Sequence, residues 1–107
     1  MAPLAGILTD ESESSLTKAY AANALGRIGE PAALAALAAS VNTNDEMVRR
    51  QVAIALGRID REEAIPDLIR LQDDKSPEVA EVASQALAGW EKKLNRKLVK
   101  RKPALEK

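Results

Sequence analysis

The sequence predicts an all-α fold. It is an α-solenoid of about two and a half helix-turn-helix repeats with a 31-residue period, closed by an extended C-terminal helix. Three observations predict it. First, Ala24-Leu25-Gly26-Arg27-Ile28 returns 31 residues later as Ala55-Leu56-Gly57-Arg58-Ile59, and in decayed form as Ala86-Leu87-Ala88-Gly89-Trp90. Second, apolar residues within a copy recur at helical spacing: Val48, Val52, Leu56 and Ile59 share one face. Third, alanine, the best helix former, supplies 20 of the 107 residues, and Tyr20 and Trp90 are the only aromatics. The β-branched and aromatic runs that strands favour are missing. A paired-helix repeat cannot bury its apolar face alone, so its copies stack.

Each element has a local reason. Pro3 to Leu8 is read as the remnant of an earlier second helix, followed by a polar linker from Asp10 to Ser15. The first helices of the two full copies are expected at about 16–28 and 46–59. Their partners are expected at about 31–41 and 62–72. Gly29-Glu30-Pro31 breaks the first pair. Asp60-Arg61-Glu62-Glu63 is a cap-to-Glu pattern that starts the second partner helix. Thr43-Asn44-Asp45-Glu46 reads as a capping box in which Asp45 competes as the cap. Ser76-Pro77-Glu78 sets a cap before a proline at the first helical position. Leu87, Trp90, Leu94 and Leu98 keep helical spacing, so the last helix is expected to run to about Lys100, with Pro103 ending it. The resulting organisation is an N-terminal segment over 1–13, a repeat domain over 14–102 (repeats about 14–44, 45–75 and 76–100) and a tail over 103–107.

The repeat resembles HEAT-like repeats of the phycobilisome-lyase type. The residues that carry the resemblance are Val48-Arg49, Ala53, Ala55-Leu56-Gly57-Arg58-Ile59 and Ala64-Ile65-Pro66-Asp67-Leu68-Ile69. In the first copy they are Ala22, Ala24-Leu25-Gly26-Arg27-Ile28-Gly29 and Ala33-Leu34. The resemblance covers about residues 14–92. It implies a family of scaffolds, adaptor domains, bilin-lyase subunits and metal-dependent hydroxylases. The hydroxylases hold iron with His-Glu pairs, and this chain has no His. The resemblance also implies that Arg49 bridges neighbouring turns, towards Asp45, Asp60 or Asp74. It implies that the second helices line the concave, ligand-binding surface.

Composition excludes further chemistry. With no Cys and no His, the chain has no disulfide, no Cys/His zinc site and no His-based catalytic triad. Asn42-Thr43-Asn44-Asp45-Glu46 fails as a calcium loop, because position six is Met47 and position twelve is Ala53. Glu62/Glu63 and Asp73/Asp74 sit at helix ends and turns, where carboxylates act as solvated caps. No catalytic residue, metal or cofactor is assigned. No apolar run is long enough for a membrane span, and the expected location is the cytoplasm. Gly26 and Gly57 lie inside helices, where glycine costs ~1 kcal/mol against alanine, so each is read as a point of close approach by the partner helix.

The functional expectation is a non-catalytic protein–protein interaction scaffold. Its proposed contact residues are Ala35, Ala36, Ala39, Asp67 and Arg70 on the second helices, Trp90, and Lys93, Arg96, Lys97 and Lys100 on the last helix. Trp90 occupies the slot of Ile28 and Ile59, so it either closes the last core layer or anchors a partner. Tyr20 lies off the core stripe and is expected to be half exposed. Residues 91–107 carry a local charge of +6 and residues 1–90 carry −6. Such halves are complementary, so a protein partner, or self-association, is expected. An accessory subunit of a bilin lyase-like complex is the alternative that the resemblance supplies. Binding of nucleic acid or an anionic surface through the basic helix is the other alternative. The acidic body and the lack of an aromatic platform count against nucleic acid.

Overall fold

A computed structural model describes residues 4–10, 12–29 and 31–95. Its helices are α1 (Leu4–Thr9), α2 (Ser15–Ile28), α3 (Pro31–Ala39), α4 (Glu46–Arg58), α5 (Ile65–Gln72) and α6 (Pro77–Leu94), with a 3-10 turn at Glu62–Ala64 before α5. They form two rows. α2, α4 and α6 pack side by side, and α1, α3 and α5 lie behind them. The slab measures 53 × 26 × 15 Å. The all-α repeat architecture is as the 31-residue period requires.

The ends of the helices follow from their sequences. Ser14 caps α2 by accepting from the Thr17 amide, and Gly29 closes it at φ 69°. Of the two caps in competition before α4, Asp45 prevails and accepts from the Met47 and Val48 amides. Ser76 caps α6, with Pro77 as its first residue. Two expected ends are corrected. Asp60 does not cap the second partner helix; it pairs with Lys93 instead. The α-helix starts at Ile65 rather than near Glu62, because Pro66 has no N–H to bond the Glu62 carbonyl. The 3-10 turn takes up that carbonyl through the Ile65 amide. The last helix stops at Leu94, not near Lys100. Asn95 adopts the left-handed conformation at φ 59°, which Asn tolerates better than most side chains, and its amide bonds the Glu91 carbonyl. Residues 96–107, with Leu98, Lys100 and the tail, lie outside the described residues.

The core runs between the rows. Leu8, Leu25, Leu37, Val41, Val48, Val52, Leu56, Ile59, Ile65, Leu68, Leu71, Val79, Leu87 and Trp90 are its large members. Small residues set the spacing within the front row. A Cβ built on Gly26 would lie 2.7 Å from the Cα and Cβ of Ala55, so α2 and α4 meet there almost backbone to backbone. At Gly57 the equivalent atom would lie 3.0 Å from Ala86 Cβ, and at Gly89 nothing stands within 4 Å. Gly26→Ala is therefore expected to destabilise by about 2 kcal/mol, because overpacking against backbone outweighs the ~1 kcal/mol helix-propensity gain. Gly89→Ala is expected to stabilise by ~0.5–1 kcal/mol. Urea unfolding of the two variants checks both signs.

Polar bonds tie consecutive turns together. The Arg49 guanidinium donates to both Asp74 oxygens (Nε to Oδ1 2.8 Å, second bond 3.2 Å) and to the Thr43 carbonyl at 2.9 Å. Asp74 also accepts from the Ser76 amide at 2.9 Å. Of the three acidic partners open to Arg49, the structure selects Asp74. Arg61 reaches back to the Gly29 carbonyl, Ser76 donates to Glu46, and Arg50 pairs with Glu78. Ser15 donates to Asp45, and this bond holds the Asp45 carboxyl below the usual carboxylate range. A depressed folded-state pKa stabilises above the unfolded value, near 3.9, and the benefit is lost as pH falls through the folded value. Asp45→Asn is expected to flatten the acid side of a melting-temperature profile and leave Tm least changed in acid.

Candidate interaction surface

The proposed contact residues fall into three groups. Ala35, Ala39, Arg70 and Lys93 are exposed. Ala36 and Asp67 are buried, against the exposed surface expected of them, and Trp90 is buried, as the core-closing one of its two readings has it. Ala36 and Asp67 are one slot in successive copies. On α3 the inward face is Ala33, Ala36 and Leu37, a three-and-four spacing that leaves Leu34 only half buried. Asp67 takes the same inward slot on α5, where its carboxylate stands 3.5 Å from Arg70. Trp90 closes the last core layer. Arg96, Lys97 and Lys100 lie outside the described residues.

Lys93 is occupied. Its ammonium pairs with Asp60 and sits 5.0 Å from the Trp90 ring centre. These groups border a cleft of about 440 Å³ between the end of α4 and α6, with Gly57 and Gly89 on its walls. Asp60 and Lys93 pair with each other across the cleft, and Arg58 also lines it. Among the described residues no group of acidic side chains is placed to hold a metal ion. No described helix is long and apolar enough to cross a membrane.

The prominent surface lies on α2. Among the described residues the exposed large hydrophobics are Leu16 (53% exposed), Tyr20 (68%), Ile28 (50%) and Met47. Three of the four are on α2, and Met47 occupies the Leu16 slot one turn along. A surface helix ordinarily turns polar residues to solvent. The outer face of α2 instead carries Leu16, Tyr20, half-buried Ala24 and Ile28, with Arg27 among them.

The repeat explains this placement. Ala55 on α4 uses its slot to pack on Gly26 of α2, and Ile59 and Trp90 are buried in theirs. Ile59 is 2% exposed. α2 has no front-row helix before it among the described residues, so the same slots open to solvent. Sequence reasoning placed Ile28 with Ile59 and overlooked Leu16. The usable signal was order along the row, since no front-row helix precedes α2 among the described residues.

A search among curated proteins finds no match. A family model described as HEAT repeats matches residues 1–88, a span that takes in α1 and most of α6. With that span matched and two rows of stacked helix pairs in the structure, the chain belongs to the HEAT repeat family.

Proposed function

We propose that the chain is a non-catalytic protein-binding module whose main contact face is the outer side of α2. The observation that carries the reading is the gathering of exposed large hydrophobics at one edge. Single exposed apolar residues are ordinary, whereas a grouped set marks an interaction site. Membership of the HEAT repeats supports it, since such repeats commonly mediate protein contacts. Ala35, Ala39 and Arg70 form a second, flatter surface on α3 and α5, suited to a helix that approaches closely. A scaffold role follows if both surfaces are used.

Capture from lysate with three baits tests the reading: the wild type, Tyr20→Glu, and Ala35→Glu with Ala39→Glu. Proteins held by the wild type and lost from Tyr20→Glu are the expected result. Loss only from the alanine variant would move the site to α3 and α5. Identical retention by all three would refute both faces.

A further inference from the structure

We infer that the outer face of α2 docks on the same face of a second copy of this chain, in a two-fold pair with the helices running in opposite directions. This rests on the protein-binding reading and names its partner.

The first support is steric. Leu16, Tyr20, Ala24 and Ile28 form one ridge at four-residue spacing, and packing two such ridges side by side is the commonest helix–helix geometry. With the helices opposed and the axis between Tyr20 and Ala24, Tyr20 of each copy falls against Ala24 of the other. Leu16 falls against Ile28. The largest exposed side chain thus meets the smallest residue of the ridge, twice.

The second support is charge complementarity. Arg27 is exposed on this face and has no ion-pair partner among the described residues. In the opposed register it stands opposite position 17 of the second copy, near the start of α2, with Glu13 just before that helix and Lys18 one residue further into it. Asp10 lies just beyond Glu13. Helices running in the same direction would instead set the two Arg27 side chains against each other.

The third support weighs against the other way of using a second copy. Head-to-tail stacking would continue the repeat by setting Ala24 of one copy against α6 of another. Within the chain, Gly26 and Gly57 receive the following alanines. The third such slot is Ala88. The Cβ that would come within 2.7 Å of Ala55 if built on Gly26 is present at Ala88. The close approach seen between α2 and α4 is blocked there, so an open-ended stack would need a wider helix spacing than that pair has. A two-fold pair closes on itself. One helix pair buries less than the ~800 Å² per partner of a standard interface, so the dimer is concentration-dependent.

Sedimentation velocity of the full chain, from low micromolar to submillimolar concentration, tests this. The expected result is a shift from monomer to dimer with no larger species. Tyr20→Glu should stay monomeric throughout, with an unchanged helical circular dichroism spectrum. Arg27→Glu should weaken the dimer by about tenfold, because it makes two attractions repulsive, and adding Glu13→Arg should restore it. A monomer at every concentration, growth beyond the dimer, or a dimer indifferent to Tyr20→Glu would each overturn the inference. Failure of the charge reversal to restore the dimer would overturn the opposed register. A monomeric chain whose capture of another protein is lost in Tyr20→Glu would refute the second copy and leave the protein-binding reading standing. No dimer and unchanged capture would refute both.

Discussion

Asp74→Ala is expected to destabilise the fold by about 3–5 kcal/mol, because it strands a buried arginine with one carbonyl as its remaining partner. Arg49 is 5% exposed, and three of its N–H groups are directed at Asp74 and Thr43. The same substitution takes the acceptor from the Ser76 amide, just before α6. A domain of this size holds only about 5–15 kcal/mol in all, so the loss is a large share of its stability. Removing both charges together tells a different story. Arg49→Met with Asp74→Asn keeps an acceptor for Ser76 and leaves no unpaired ion. That double variant should recover most of the loss, since a buried pair often costs as much to desolvate as it returns. Chemical unfolding of the single and double variants separates the stranded charge from the worth of the pair.

Trp90→Ala should cost about 3–5 kcal/mol, the range for removing a large aromatic from a packed core. Trp90 closes the last layer, beside Ile59 and under the Lys93 side chain. An exposed anchor would instead be replaceable without loss of stability and would reduce binding alone. Trp90 is the sole tryptophan, so its fluorescence reports on this layer directly. The folded chain should emit at shorter wavelength than the unfolded chain. Thermal unfolding followed by that signal should coincide with loss of helical circular dichroism.

Much of the fold is legible because two independent patterns coincide. The 31-residue period and the helical spacing of Val48, Val52, Leu56 and Ile59 specify stacked helix pairs without any tertiary knowledge. Gly26 within α2 foretold a close helix contact, although the helix that meets it is α4 and not the partner helix α3. Three features escaped. The switch from 3-10 to α-helix before Ile65 depends on which carbonyl Pro66 leaves unbonded. The stop at Leu94 depends on Asn95 taking a left-handed conformation that the sequence permits without requiring. The burial of Ala36 and Asp67 depends on the rotation of the second helices against the core, and an alanine-rich helix gives little pattern from which to read it.

The candidate surface was less legible, for a related reason. A repeat describes what each slot does in the middle of a stack. Ile28 and Ile59 are the same residue in the same slot, yet one is half exposed and the other buried. The difference arises from order in the row, which no local pattern encodes. Alanine slots on α3 attracted attention because they are smooth. The larger apolar area was on α2, where the repeat assigns Ile28 to the interior but leaves the Leu16 and Tyr20 slots outside it.

The central claim, that the outer face of α2 is the contact face, is tested most directly by amide-resolved NMR. Labelled chain would be titrated with unlabelled chain, and separately with any protein captured by the wild type and lost from Tyr20→Glu. Shifts gathered between Leu16 and Ile28, with α5 and α6 unmoved, are the predicted result. Shifts confined to α5 and α6, with α2 unmoved in both titrations, would contradict it.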